Sequence, residues 1–248
     1  MNTIINPYIF KNTGLFTDLL SCWEMNESSG SVVIDSHSRQ NGINYGATVN
    51  QLGKLNNAYN YDGTNDYLSI SDSASVIQGP FSASVWMYYT DVINSTYDPG
   101  LIGKWLGATF SGTAYPRRSW GLQIQNRYTL GFGFSTSGLY QSANYLASGN
   151  VSSLIINKWA LVVGVYTGTA LQIYINGNLI TSKATTLQSI YQSDIDINIG
   201  VHYVIGYQQN LYSMKGLIDQ TCIWNRALTQ PEITTLYNGG NGLPYTSF

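Results

Sequence analysis

The 248-residue sequence predicts an all-β sandwich. Its composition, with 20 Tyr and 25 Gly but only 10% charged residues, is typical of half-buried strands joined by tight turns. Short apolar runs recur along the chain, each bounded by Gly, Pro, Asn or Ser. No Pro/Ser-rich linker, shift of composition or fixed repeat divides the sequence, so we expect one domain.

The first part of the chain predicts an arm followed by short strands. Residues 1–18 lack a clear period and carry Pro7 and Gly14, as in an extended arm that docks on a neighbour. From Asp18, the pattern predicts a strand over Leu20–Met25 and, after a Ser-Ser-Gly turn, a second over Val32–Ile34. Further strands are predicted at Tyr67–Ile70, Phe81–Tyr89, Leu101–Trp105, Trp120–Gln125, Leu130–Phe134 and Ile195–Gly200.

The segment "ALVVGVYTGTALQIYINGNLITSK" carries the clearest local signal. Its alternating apolar runs are joined at Thr167-Gly168-Thr169 and at Asn176-Gly177. Asn-Gly favours a type I′ turn, in which both central residues take positive φ. The segment therefore predicts a three-stranded antiparallel meander.

The end of the chain predicts one strand and one short helix. "GLIDQTCIWN" alternates as a strand does. In "TQPE", Thr229 is an N-cap with Glu232 three positions later, a capping box, and Pro231 is tolerated in the first turn. With Gly239-Gly240 as a stop signal, we expect a helix of about nine residues packed on the sandwich.

Five segments, in order, carry a family resemblance. They are "LLSCWEMNESSGSVVIDSHSRQNG", "NAYNYDGTNDYLSISDSASV", "GPFSASVWMY", "NKWALVVGVYTGTALQIYINGNLI" and "GLIDQTCIWNRALTQPEITTLYNGG". Together they resemble laminin-G-like, concanavalin A-like jelly-roll domains. The sequence departs from the family pattern at Tyr61, where Phe is usual, and at Gln220, where Glu is usual.

The resemblance implies a two-sheet antiparallel jelly-roll sandwich with one short C-terminal helix. It divides the chain into an arm over 1–18, a domain over 19–240 and a tail over 241–248. It also implies that the first and last strands lie side by side, which would bring Cys22 and Cys222 close. A disulfide between them and two buried free thiols are both compatible with the sequence.

Composition argues against several classes of partner. The formal net charge is -2 with only 11 Lys plus Arg, too few basic residues for a nucleic-acid-binding patch. No apolar run approaches the length that spans a bilayer, and the start of the sequence lacks the features of a signal peptide. We therefore expect synthesis in the cytoplasm and no membrane span. The low charge density favours engagement in an assembly such as a homo-oligomer.

Catalytic patterns are not found, so we expect no enzyme activity. Jelly-roll glycosidases need paired carboxylates, but the only glutamates are Glu24, Glu27 and Glu232, and they form no E-x-D-x-E strand motif. His37 and His202 are isolated in the sequence, and no G-x-S-x-G elbow or phosphate-binding loop occurs.

Two binding sites can be suggested. Asp62, Asn65 and Asp66 lie in one Gly-containing turn and would suit calcium, although Asx-type bonds to turn amides are the simpler explanation. Aromatic rings can stack on sugars while polar groups bond the hydroxyls. The candidate glycan contacts, all in the segments between Asn94 and Asn150, are Tyr97, Trp105, Tyr115, Arg117, Tyr140 and Tyr145.

Three functions follow from these observations. We expect a non-enzymatic structural or surface protein of a bacteriophage virion, such as a fibre, decoration or tail component, that assembles with other virion proteins and adheres to host glycans. The first alternative is a carbohydrate-binding module of a cell-surface or secreted protein. The second alternative is a glycoside hydrolase.

Overall fold

The computed structural model describes residues 14–71, 77–90, 98–106, 109–110, 113–114, 116–202 and 213–248. Most of the predicted arm, residues 1–13, therefore lies outside the described residues. The strands are β1 (Leu19–Trp23), β2 (Val32–Val33), β3 (Gly42–Tyr45), β4 (Thr48–Leu52), β5 (Asn57–Asp62), β6 (Tyr67–Ile70), β7 (Phe81–Tyr89), β8 (Gly100–Trp105), β9 (Thr109–Phe110), β10 (Thr113–Ala114), β11 (Arg118–Gln125), β12 (Thr129–Phe134), β13 (Tyr145–Ala147), β14 (Trp159–Tyr166), β15 (Ala170–Ile175), β16 (Asn178–Ala184), β17 (Ile197–Ile199) and β18 (Lys215–Trp224). The helices are α1 (Ser152–Ile155) and α2 (Gln230–Tyr237).

The strands form two antiparallel sheets of eight strands each, beside a small β9–β10 ribbon. The first sheet has the order β16-β15-β14-β7-β18-β5-β4, with β1 paired to the last part of β18. The second sheet has the order β13-β12-β11-β8-β17-β6-β3-β2. The predicted antiparallel sandwich of jelly-roll type, with one short C-terminal helix, is confirmed.

The main core fills the space between the two sheets. Alternate residues of β11, namely Trp120, Leu122 and Ile124, are buried in it, as the two-residue period of a strand requires. Phe81 of the first sheet meets Trp120 and Phe132 of the second, with ring centroids 5.4 Å apart in both pairs. Gly121 and Gln123, which alternate with these residues, therefore lie on the outer face of the second sheet.

A second apolar cluster covers the outer face of the first sheet. It includes Ile233 and Leu236 of α2 together with Trp224 and Phe248. The Trp224 Nε1–H donates to the Leu15 carbonyl at 2.7 Å, which holds the start of the described chain against β18. The last residues of the chain, which the sequence suggested as a tail, thus pack on this face through Phe248.

Polar groups fix α2 at the end of the sandwich. The capping box is confirmed, with the Thr229 N–H donating to Glu232 Oε2 at 2.7 Å. Arg226 donates to both oxygens of Glu232, at 3.0 and 2.7 Å. Arg226 also donates to the Gly14 and Thr17 carbonyls, so one side chain connects the helix to the chain before β1.

Cys22 and Cys222 are opposite each other in the pairing of β1 and β18 and are joined by a disulfide with an S–S distance of 2.05 Å. They lie 200 positions apart in sequence, so the bond joins the first and last strands of the domain. The first strand ends at Trp23 rather than at Met25, as the sequence had suggested. Met25 takes a positive φ of 56°, which an extended strand cannot accommodate.

The predicted meander corresponds to β14, β15 and β16. Asn176 and Gly177 have φ values of 52° and 80°, as a type I′ turn requires. The strands β3, β4, β5, β9, β10 and β13 were not predicted. The strand β4 carries no buried residue, and its exposure alternates only between exposed and half-buried. Such an edge strand gives little apolar signal in the sequence.

Within the described residues, no helix is both long and apolar enough to cross a membrane.

Candidate functional site

The outer face of the second sheet carries the candidate site. Asn198, Gly103, Gly121, Gly133 and Tyr145 are consecutive cross-strand partners on β17, β8, β11, β12 and β13. Directly opposed residues share one face of a sheet. Because the neighbours of Gly121 and Gly133 in sequence point into the core, this row faces outward. Small residues thus form the middle of the row, and an aromatic ring ends it.

Three rings and one guanidinium form an aromatic cluster on this face. We use that name for Trp105, Tyr140, Tyr145 and Arg118. The Tyr145 ring centroid lies 5.9 Å from that of Trp105 and 5.6 Å from that of Tyr140. The Arg118 guanidinium carbon lies 5.6 Å from the Trp105 centroid and 5.9 Å from the Tyr140 centroid. Such stacking lets a guanidinium stay charged beside apolar rings.

Glycines let two of the rings lie flat on the strands. A Cβ on Gly121 would lie 3.1 Å from the Trp105 Cβ, which is tighter than ordinary van der Waals contact. A Cβ on Gly131 would lie 1.7 Å from the Tyr145 hydroxyl, and one on Gly133 would lie 2.8 Å from the Tyr145 ring. The glycines of β11 and β12 therefore serve as a floor for the cluster.

The loop that carries Tyr140 is fixed to β11 and to itself. The Arg118 N–H donates to the Gly138 carbonyl at 2.9 Å. The Gln141 Oε1 accepts from the Thr136 N–H at 2.8 Å, and Lys183 donates to the Tyr145 carbonyl at 3.1 Å. Tyr140 is 53% exposed, whereas Trp105 and Tyr145 are each 7% exposed, so Tyr140 presents the accessible ring.

Buried polar atoms without partners gather around the cluster. Among the described residues, seven buried side-chain polar atoms make no hydrogen bond. Four of them lie on Arg118, Gln123, Tyr145 and His202: Arg118 Nε, Gln123 Oε1, the Tyr145 hydroxyl and His202 Nε2. Native structures rarely leave such atoms unpaired, so this concentration of them marks the region as a candidate site.

The electrostatics of the site follow from burial. Burial, together with the nearby charge of Arg118, lowers the pKa of His202 to about 3, so the imidazole is neutral at physiological pH. Burial raises the pKa of Tyr145 far above its usual value, and the Asp98 carboxylate acts in the same direction. Burial also lowers the pKa of Arg118. Arg118 therefore carries the positive charge within the cluster.

The structure brings together three of the six sequence-suggested glycan contacts, namely Trp105, Tyr140 and Tyr145. Arg117 instead forms an exposed ion pair with Asp194 at 3.7 Å. Tyr97 and Tyr115 lie outside the described residues. Their role in glycan contact, like that of the other candidates, stays a prediction.

Sequence reasoning missed four parts of the site: Arg118, Gln123, His202 and the glycine floor. Arg118 stood next to a residue that the sequence did select, and glycines on different strands share a row only once the register is known. His202 is isolated in the sequence, so nothing near it indicates that it belongs to a site.

The suggested calcium ligands lie in the turn between β5 and β6. Asp66 Oδ2 accepts from the Asp62 N–H at 2.9 Å, and Asp62 Oδ1 accepts from the Thr64 N–H at 2.7 Å. A Cβ on Gly46 would lie 2.2 Å from Asp66 Oδ1, so that oxygen faces backbone. These bonds are those of an Asx-stabilised turn. Calcium binding by Asp62, Asn65 and Asp66 stays a prediction.

The three glutamates have structural partners. Glu24 accepts from the Ser36 hydroxyl at 2.7 Å, Glu27 accepts from the Tyr59 hydroxyl at 2.8 Å, and Glu232 pairs with Arg226. Over the described part of the chain, no group of three or more His, Cys, Asp or Glu residues is arranged to hold a metal ion.

The domain is a jelly roll of concanavalin A-like type. Its first sheet has a covered outer face, and its second sheet carries the aromatic cluster. The family model described as "Concanavalin A-like lectin/glucanases superfamily" matches residues 62–234, which is more than half of the chain. The chain therefore belongs to this laminin-G-like family. Comparison with curated proteins finds no match.

Solved structures with the same fold include binding domains and an enzyme. The binding domain of Paraclostridial Mosquitocidal Protein 1 is 14% identical, with a TM-score of 0.64, and the match covers 90% of this chain and 52% of that one. The binding domain of Botulinum neurotoxin serotype D is 18% identical, with a TM-score of 0.62 and coverages of 90% and 51%. Trypanosoma rangeli sialidase is 16% identical, with a TM-score of 0.57 and coverages of 91% and 34%. The chain thus spans about half of the two binding domains and about a third of the sialidase, and at such identities the likeness shows the fold alone.

Proposed function

We propose that this chain is a non-catalytic carbohydrate-binding jelly-roll domain whose glycan site is the aromatic cluster on the outer face of the second sheet. The observation that carries the proposal is the set of four unpaired polar atoms around Trp105, Tyr140 and Tyr145. Sugars offer both hydroxyls for such atoms and an apolar face for rings. Two of the structural neighbours are themselves described as binding domains, which is consistent with a binding role on this fold.

The absence of catalysis is part of the proposal. Glycoside hydrolysis needs two carboxylates flanking the scissile bond, one of them able to act as an acid. Near the cluster, Asp98 accepts a hydrogen bond from the Asn126 N–H at 2.9 Å, and Glu24 and Glu27 bond elsewhere. We expect no release of reducing ends from any glycan that binds, and measurable release would favour the hydrolase alternative instead.

Substitution of Tyr140 tests the site. We expect Tyr140→Ala to lower glycan affinity at least tenfold on a glycan array and in calorimetry, since stacking on the exposed ring is lost. The matched control is Tyr45→Ala, because Tyr45 is a similarly exposed ring (48%) that stacks on Tyr67 at the far edge of the sheet. Loss of binding with Tyr45→Ala alone would move the site to that edge. Binding to no glycan, with or without calcium, would refute the function.

A place in a virion is the narrower form of this proposal. The low charge density and the arm suggested by residues 1–18 support docking into a larger assembly, in which the glycan site would contact the host surface. A cell-surface or secreted binding module remains the alternative. Analytical ultracentrifugation tests the assembly: a strict monomer at all concentrations, together with absence of the protein from purified particles, would argue against the virion form.

A further inference from the structure

We propose that the glycan bound at the aromatic cluster is acidic, and that Arg118 recognises the carboxylate of a uronic or related acidic sugar. This inference rests on the proposed function and specifies its ligand. It starts from Arg118, whose guanidinium lies between the rings of Trp105 and Tyr140 and whose Nε donor is buried without an acceptor.

The charge of Arg118 has no partner among the described residues. Neither the Arg117–Asp194 ion pair nor the Arg226–Glu232 ion pair involves Arg118. A partly buried cation without a counter-ion is costly, and a bound anion would relieve that cost.

Neighbouring acidic groups are already engaged. Asp98 Oδ1 accepts from the Asn126 N–H at 2.9 Å. Asp196 Oδ2 accepts from the Ser69 hydroxyl at 2.6 Å, on β6. Asp194 is exposed and pairs with Arg117 at 3.7 Å. The cluster therefore offers a positive charge at Arg118.

The shape of the site favours a carboxylate on a sugar ring over a simple anion. A guanidinium forms parallel hydrogen bonds with a planar carboxylate, and the accessible Tyr140 ring lies beside it to stack on the sugar. Gln123 Oε1 and the Tyr145 hydroxyl are also buried close by without a geometric hydrogen-bond partner. A free anion would satisfy Arg118 alone and leave these groups without partners.

The test compares polymers that differ only in the carboxylate. Binding of the full chain to polygalacturonate, hyaluronan and polysialic acid is measured beside the carboxyl-reduced form of each polymer, at physiological salt. We expect at least one acidic polymer to bind and its reduced form to bind at least tenfold more weakly. Dextran sulfate controls for attraction by charge alone, and equal binding to it would overturn the inference.

Variants connect the effect to Arg118. We expect Arg118→Gln to abolish the preference for the acidic form, and Arg118→Lys to restore it only in part, because Lys lacks the planar pair of donors. Arg39→Gln, which removes the same charge from an exposed turn, is the control. Circular dichroism and melting temperature verify folding, and if Arg118→Gln fails to fold, Arg118→Lys and the reduced polymers still decide.

The outcomes separate the two proposals. Equal affinity for acidic and reduced polymers, or binding to neutral glycans alone, would overturn the acidic ligand and leave carbohydrate binding standing. Failure to bind any glycan would remove both. A preference for the acidic form that persists in Arg118→Gln would contradict the role of Arg118.

Discussion

At the scale of single residues, buried polar groups decide how tightly the domain is held. Asp219 is fully buried on β18. Its Oδ2 accepts from the Lys54 and Leu55 N–H groups, at 2.7 and 2.8 Å, and its Oδ1 accepts from the Gln220 N–H at 2.6 Å. One carboxylate thus holds the loop between β4 and β5 on the last strand. This position requires a side chain with two oxygens that both accept hydrogen bonds.

Replacing this carboxylate by an amide removes half of its acceptors. Asp219→Asn keeps the shape but places an NH₂ group against a backbone N–H, so we expect a loss of about 1–3 kcal/mol in the free energy of unfolding at pH 7. Urea denaturation followed by tryptophan fluorescence measures it. Asp194→Asn is the control, because Asp194 is 73% exposed and its ion pair should contribute little. Equal stability of the two variants would show that the Asp219 bonds are not needed.

Glu232 gives a pH dependence of known sign. Burial raises the pKa of Glu232, but hydrogen bonds from Arg226 and Thr229 outweigh that effect and hold the pKa below its usual value. A carboxyl with a lowered folded-state pKa stabilises the fold above its unfolded pKa of about 4.3, and the stabilisation is lost as pH falls through the folded pKa.

We expect Glu232→Gln to cost about 1 kcal/mol at pH 7 and progressively less below pH 4, where the wild-type carboxyl also becomes neutral. Unfolding free energies from pH 3 to pH 7 report the difference. Thr229→Ala removes the Thr229 hydroxyl bond to Glu232 and keeps the Arg226 bonds, so its cost should fall on acidification by a smaller amount. A Glu232→Gln cost that grows on acidification would have the wrong sign.

At the scale of elements, the strand register creates the site. Gly131 of β12 leaves the space in which the Tyr145 hydroxyl lies, 1.7 Å from where its Cβ would be. Gly121 of β11 does the same beneath Trp105. The Trp105 and Tyr145 rings therefore occupy space that side chains on β11 and β12 would fill. A single added methyl group at one of these glycines should displace a ring.

Gly131→Ala tests this dependence. The new methyl group must displace the Tyr145 ring, so we expect glycan affinity to fall at least tenfold while the β-type circular dichroism spectrum is kept. Gly149→Ala is the matched control, because its Cβ would meet no atom within 4 Å. Unchanged affinity in Gly131→Ala would mean that Tyr145 does not contribute to binding.

The same register explains how far the sequence could predict the site. Trp105, Tyr140 and Tyr145 were selected because aromatic side chains among loops suggest sugar contacts. Arg117 was selected and its neighbour Arg118 was not. Strict alternation along β11 would place Arg118 on the core face with Trp120. The register shift between these two residues instead sets Arg118 opposite Trp105, and a bulge of this kind cannot be read from the sequence.

At the scale of the whole molecule, the two outer faces have different roles. The face of the first sheet is closed by α2, the C-terminal residues and the chain before β1. The face of the second sheet carries the aromatic cluster.

The sequence predicted the sandwich, its closing strand and its helix, because these rest on local signals such as the Asn176-Gly177 turn and the Thr229 capping box. It did not predict the packing of residues 241–248, which depends on contacts with the distant Trp224 and Phe16.

Stability and binding should therefore be separable by changes on opposite faces. Phe248 is 7% exposed, and its ring lies 6.1 Å from that of Trp224 and 5.9 Å from that of Phe16. We expect Phe248→Ala to cost about 1–3 kcal/mol of unfolding free energy through lost apolar burial, with glycan affinity unchanged. Tyr140→Ala should show the reverse, because its exposed ring contributes little to the core. Urea denaturation and calorimetry on both variants measure the two quantities. Loss of glycan affinity in Phe248→Ala at temperatures where it is folded would show that the two faces are coupled through the sandwich.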